Sequence, residues 1–281
     1  MSAYRFCRTD DIGLLVDALN RCWGPHFPEE PPVTAASFKR SIRDLQVWCS
    51  SCMVAFAGPD PIGVLIGAKR TSGTLVHKIA VHPDHLRQGH ARHLLTSLGS
   101  KLAILGPPQI VAEVPESFAH ARRLFSACGY SEETLVTDYV LEREASDVAA
   151  VAGTLVIPVT IDDLAANGLL GEGHPPSCWE RSIETLTARK DEIHGLAVAS
   201  DEQIEAYILY LEQGDILSLR SFVEDGGARL KQLLSQLRAR GIRCFRFPKV
   251  HPAEISKDLL ETLGFNPAGG HLRFTSTARA A

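Results

Sequence analysis

The 281-residue sequence has no apolar run approaching the roughly 18 residues that a bilayer-crossing helix needs. Its first residues, MSAYRFCRTDDIG, carry charges and no apolar stretch of the kind a secretory leader requires. No membrane span is expected, and the expected compartment is the cytoplasm. A basic excess is missing too: 29 Lys and Arg stand against 33 Asp and Glu, for a net charge of -4. No field of that sign attracts phosphate backbones, so nucleic acid is not an expected partner. The seven cysteines (Cys7, Cys22, Cys49, Cys52, Cys128, Cys178 and Cys244) are odd in number and scattered, unlike a secreted disulfide framework. Cys49-Ser-Ser-Cys52 has redox or metal spacing, but it lies where the chain enters an apolar strand, with no second pair downstream. Two small residues near a strand start account for it.

Signatures of other chemistries are absent as well. There is no Gly-x-Ser-x-Gly elbow for a serine hydrolase. Gly63-Val-Leu-Ile-Gly67 is followed by Ala-Lys inside a strand pattern, so it is not a Walker loop. His82-Pro-Asp-His85, with His90 close by, could invite a metal, yet no separate Cys or His cluster completes a shell, and no metal is expected. What is present is ordinary globular material, 45% hydrophobic and 22% charged. At this length two units of roughly 140 residues are the natural division.

Strand and helix signals alternate through the first half, which sets the fold class as mixed α/β, a mixed sheet with helices on both faces. Tyr4 to Arg8 predicts a short strand. Asp10-Asp11 offers caps to a helix with Ile12, Leu15, Val16 and Leu19 at helical spacing. A proline-rich loop, Gly24 to Pro32, leads to a second helix over Ser37 to Leu45. Met53 to Ala57 and Ile62 to Ala68 predict a hairpin through Gly-Pro-Asp-Pro. Thr74 to Val81 is a third apolar strand, followed by a loop and a helix with Leu94, Leu95, Leu98 and Leu102 on one stripe. Strand Ile110 to Val114, helix Phe118 to Cys128 and strand Leu135 to Leu141 complete the unit.

The second half repeats this order. Thr9-Asp-Asp-Ile-Gly-Leu-Leu is echoed by Ile161-Asp-Asp-Leu-Ala-Ala-Asn, Gly89-His-Ala-Arg92 by Gly226-Gly-Ala-Arg229, and Leu124-Phe-Ser-Ala-Cys-Gly-Tyr130 by Leu259-Leu-Glu-Thr-Leu-Gly-Phe265. Three echoes in one order point to duplication. The expected domains are 1–145 and 154–281, joined by the charged, alanine-rich stretch Glu142 to Gly153.

The most informative stretch is Ile79-Ala-Val-His-Pro-Asp-His-Leu-Arg-Gln-Gly-His-Ala-Arg92. An apolar strand ends at Val81, proline turns the chain, and Gly89 with Ala91 opens a long helix. Unpaired amides and a positive dipole end suit such a helix start to a pyrophosphate. Placed after the third long strand of this element order, the loop resembles that of the GNAT superfamily of N-acyltransferases, and the resemblance covers nearly all of residues 3 to 143. It implies tandem GNAT-like domains, the second degenerate, and acetyl-CoA as co-substrate. It places the pyrophosphate at Leu86, Arg87, Gln88, Gly89, His90 and Ala91, with Arg92 adding charge. It implies that the backbone of Ile79, Ala80 and Val81 pairs with the pantetheine arm like an added strand. Leu86 departs from the family's Arg or Gln, and Phe125 stands where many members carry a tyrosine that protonates the leaving thiolate. The family's frequent asparagine before that helix is also missing.

Acyl transfer to an amine calls for a proton acceptor. His77, four residues before Val81, is the first candidate base, with a strand histidine satisfied by a neighbour as the other reading. Glu113 could act directly or through water, and Tyr139 or Tyr130 could replace the missing acid. In the second half, the strand Ile216 to Val223 runs almost directly into Glu224-Asp-Gly-Gly-Ala228. A loop about four residues shorter than its counterpart, with two carboxylates where a pyrophosphate would approach, predicts no cofactor there. That domain would be structural or help form the substrate pocket, and Trp23 to Pro32 and Gly171 to Trp179 are candidate walls. The expected enzyme transfers an acetyl or short acyl group from coenzyme A to a primary amine of a small molecule or peptide. The alternative is an inactive coenzyme A-binding sensor or scaffold. A homodimer is compatible with either.

Overall fold

A computed structural model describes residues 2–142, 154–170 and 177–278. The chain divides into two compact units, Met1–Thr134 with Leu272–Ala281, and Leu135–His271. Of the expected linker, only Glu142 lies within the described residues.

The first unit opens with β1 (Ser2–Phe6) and α1 (Ile12–Cys22), whose Leu15, Ala18, Leu19 and Cys22 form one buried face. The cap expected from Asp10-Asp11 does not form. The Asp11 carboxylate instead accepts from the Arg5 guanidinium at 2.9 and 3.0 Å and from the Arg8 amide at 2.7 Å. Helix α2 (Ala35–Leu45) starts at a reciprocal Thr34–Ser37 capping box. The hairpin of β2 (Met53–Ala57) and β3 (Asp60–Lys69) is as expected, and β4 (Thr74–Val81) pairs antiparallel with β3. Helix α3 (His90–Leu105) buries Leu94, Leu95, Leu98 and Leu102. Then come β5 (Gln109–Pro115), α4 (Ala119–Ala127) and β6 (Ser131–Leu141). Within this unit the strand order is β1-β2-β3-β4-β5.

The second unit repeats the plan with β7 (Leu155–Pro158), α5 (Ile161–Ala166), α6 (Ile183–Ala188), β8 (His194–Ala199), β9 (Ile204–Tyr210), β10 (Ile216–Ser221), α7 (Ala228–Ala239), β11 (Phe245–Val250), α8 (Lys257–Thr262) and β12 (Asn266–Thr277). Strands β10-β9-β8-β7 form a four-stranded sheet, and β11 pairs antiparallel with residues 137–141 of β6. Two left-handed glycines occupy the same place in the two halves: Gly89, at φ 86°, caps α3, and Gly227, at φ 83°, caps α7. The equivalent of Gly89 is therefore Gly227, one residue beyond the Gly226 suggested by the echo.

The division differs from two consecutive halves. Residues 131–134 of β6 and 272–277 of β12 belong to the first unit, and the remainder of each strand to the second. At about 3.3 Å per residue, strands of 11 and 12 residues are long enough to contribute to two cores. No helix among the described residues is long and apolar enough to cross a membrane.

Candidate active site

Strand β4 joins β5 only at its start, with parallel pairs Thr74↔Ile110 and Leu75↔Val111. The reason lies one residue further on. Against β3, Lys78 pairs with Ile66 and Val76 with Gly67, which leaves His77 as the extra residue of a bulge. A bulge bends its strand and turns a side chain out of the regular alternation. Beyond it, β4 and β5 part, and β5 does not pair with Lys78 to Val81.

A cavity of about 450 Å³ opens between them. Residues 76–81 of β4 and 112–115 of β5 line it, with Leu86, Ala91, Phe118, His120, Ala121, Leu124 and Phe125 on the helix side. Trp23, His26, Phe27 and Glu30 close a further wall. The Trp23–Pro32 loop, expected as a candidate wall, thus contributes four lining residues. His26 reaches the end of the cofactor-side strand, with Nε2 2.8 Å from the Val81 carbonyl.

At one end of the cavity, Leu86 and Ala91 adjoin the N-terminus of α3. No side chain caps this helix. A Cβ built on Gly89 would meet no atom within 4 Å, so the space before the amides is open. Arg87, at φ 59°, and Arg92 are exposed beside it. His90 differs: its ring is buried, with Nδ1 2.6 Å from the Tyr4 hydroxyl, so only its backbone belongs to the helix start. Burial, with His85 and His93 adding to it, lowers the His90 pKa and keeps the ring neutral.

Of the expected site residues, His77, Ile79, Ala80, Val81, Leu86, Ala91 and Glu113 therefore line one cavity. Arg87, Gln88, Gly89 and Arg92 are exposed in the adjoining loop and first helical turn. Tyr139 is not among the lining residues: it belongs to the second unit and is buried in that unit's core. Tyr130 is also in a core, edge-to-face with Phe125 at 5.1 Å, its hydroxyl buried without a partner and its pKa raised by burial. Among the described residues the lining contains no Ser, Thr, Tyr or Cys, and its proton carriers are His26, Glu30, His77, Lys78, Glu113 and His120. Lys78 and His120 were missed in the sequence. Lys78 neighbours the bulge, but nothing local reveals that; His120 lies within the expected helix, outside its apolar stripe.

The corresponding turn of the second unit is closed on itself. The Asp225 carboxylate accepts from the Gly227 and Arg229 amides, each at 2.9 Å, and from the Arg229 guanidinium at 2.9 Å. Arg229 also binds Glu205. Burial works to raise the Asp225 pKa, but these donations prevail and lower it. The connection itself, residues 222–227 against 82–89 in the first unit, is two residues shorter, not four, because β10 stops at Ser221.

Splayed central strands beside a glycine-led, uncapped helix place the first unit among the acyltransferase-type α/β domains. Residues 14–130 match the acetyltransferase (GNAT) family. No curated protein matches the chain in sequence. Among solved structures, a tandem GNAT protein from the clavulanic acid biosynthesis pathway is 16% identical, with TM-score 0.64 over 100% of both chains. A GCN5-related N-acetyltransferase from Sphaerobacter thermophilus is 14% identical, with TM-score 0.70 over 99% of this chain and 96% of that one. An acetyltransferase fold from Pyrococcus horikoshii is 16% identical, with TM-score 0.61 over 99% and 90%. These similarities establish the tandem GNAT fold; the family match supports acyl-CoA-dependent N-acyl transfer as the general activity.

Proposed function

We propose that the first unit transfers an acetyl or short acyl group from coenzyme A to a primary amine of a small molecule or peptide, and that the second unit binds no cofactor. The observation that carries this reading is the meeting, at one cavity, of the β4 stretch Lys78 to Ala80, which β5 does not pair with, and the uncapped N-terminus of α3. An extended amide-bearing arm fits the first, by hydrogen bonds that ask for no particular side chain. A pyrophosphate fits the second, with Gly89 leaving room and Arg87 and Arg92 adding charge. Acetyl-CoA supplies the thioester and leaves as the thiol.

The chain's own residues supply position and proton transfer. The bulge places His77 on the cavity wall, and Glu113 lines it from β5. Either can take the proton that the amine loses as its C–N bond forms, directly or through water. Among the described lining residues, an imidazole or Lys78 can return a proton to the thiolate, as can water. Phe125, buried at the place of the family's acid, favours a second reading in which coenzyme A is held without turnover.

Calorimetric titration of acetyl-CoA into wild type and Gly89→Glu tests the first step. One-to-one binding that the variant abolishes, with thermal unfolding still cooperative, is the expected result. Absence of wild-type binding overturns both readings, and binding without acetylation of any amine in a broad panel leaves the second.

A further inference from the structure

Four rings follow one another along one wall of the cavity. Trp23 and Phe27 stack at 4.2 Å with planes 18° apart, Phe27 meets Phe118 at 5.6 Å, and Phe118 stacks on His120 at 5.9 Å. All four residues line the cavity, and Trp23, Phe27 and Phe118 are half-buried. Val76, Ala112, Val114 and Leu124 continue the apolar surface.

The charges near these rings are already matched. Glu30 accepts from the Trp23 indole at 3.0 Å and pairs with Lys78 at 3.2 Å, and the Lys78 ammonium lies 4.2 Å over the Trp23 ring. His26 is held at the Val81 carbonyl. A polycationic acceptor would need several carboxylates to receive its ammonium groups, whereas the described lining residues supply two, and Lys78 pairs with one of them. A polyhydroxylated acceptor would leave most of its hydroxyls against rings and methyl groups, without hydrogen bonds.

From this wall we propose that the acceptor is an arylalkylamine: a single primary amine on a short arm attached to an otherwise uncharged aromatic ring. The inference rests on the acyl-transfer reading and names its substrate class. The ring packs against Phe27 and Phe118 in the offset or edge-on geometry that aromatic pairs favour. The arm then brings the amine toward the His77 and Glu113 side of the same cavity. There the amine nitrogen forms a bond to the acyl carbon, the C–S bond breaks, one proton passes to His77 or Glu113, and the sulfur leaves as coenzyme A thiol.

The test compares β-phenethylamine with n-butylamine, spermidine and a lysine-bearing peptide, using acetyl-CoA and the full chain. The kcat/KM for β-phenethylamine should exceed that for n-butylamine by about tenfold, the scale of one good aromatic contact. Phe118→Leu keeps an apolar side chain while removing the ring. It should erase most of that preference, read as the ratio of the two amines' kcat/KM in the same variant, with thermal unfolding still cooperative. Equal or better turnover of spermidine, the peptide or n-butylamine overturns the acceptor class while keeping the transferase. If no amine is acetylated, β-phenethylamine is titrated into the protein saturated with coenzyme A. Saturable binding weakened by Phe118→Leu keeps the aromatic-amine site and removes the transferase reading; no binding overturns the site as well.

Discussion

His77 reaches the cavity because of a backbone irregularity, which makes it separable from its neighbours by substitution. Val76 and Lys78 pair with Gly67 and Ile66 on β3, and His77 is the extra residue between them. If His77 takes the amine proton, His77→Ala should lower kcat by about 10²-fold, with acetyl-CoA affinity changed much less. The kcat profile should also lose the limb that reports the imidazole, and a purely structural role would not remove a limb. Glu113→Gln distinguishes direct from water-mediated transfer: a loss as large as that of His77→Ala, recovered by more basic conditions, makes Glu113 the acceptor instead. Unchanged kcat in both variants would remove proton abstraction by either residue from the mechanism.

At the scale of the element, the bulge depends on the strand opposite. A Cβ at Gly67 would lie 2.5 Å from the Ser51 carbonyl oxygen and 2.9 Å from its Cβ, both far inside contact distance. Gly67→Ala should therefore cost about 1–3 kcal/mol, as overpacking does. Because Gly67 is the partner of Val76 beside the bulge, acetylation should suffer more than the melting shift accounts for. Urea unfolding together with kcat/KM checks both parts, and wild-type stability in the variant would show that Ser51 gives way freely. The apolar runs of β2, β3 and β4 and the leucine stripe of α3 are legible from sequence because each buries most of its length and keeps its period. So is the open glycine cradle, which is local. The bulge is not, since it appears only in the pairing with Ile66 and Gly67 on β3, and neither is the divergence of β4 from β5. Strand β6 begins at Ser131, four residues before the expected Leu135, because the exposed Ser-Glu-Glu start reads as loop until a partner strand pairs with it. The place of Tyr139 depends on which core each part of β6 enters, and no period in the sequence records that.

Across the whole molecule, most of the buried thiols lie in the first unit. Cys7, Cys22, Cys49, Cys52 and Cys128 all belong to the first unit, and burial raises the pKa of each from its ordinary value of 9.0, Cys7 to about 12 and Cys22 to about 11. The folded state keeps protons that the unfolded chain releases above pH 9. Their contribution to stability is therefore complete below pH 9 and is lost as pH rises toward 11 and 12. Each fully shifted thiol lowers stability by about 1.4 kcal/mol per pH unit in that window. In the second unit, Tyr207 has a raised pKa, again through burial, but it starts from 10.0 and so responds later. Amide hydrogen exchange between pH 8 and 10.5, corrected for intrinsic exchange, should show residues 1–134 losing protection before residues 154–270. Cys22→Ala removes one of the shifted protons and should flatten the decline in urea midpoint over the same range. Simultaneous loss of protection in both units, with a slope indifferent to Cys22→Ala, would mean that the thiols do not govern the alkaline limit and that the two units open as one.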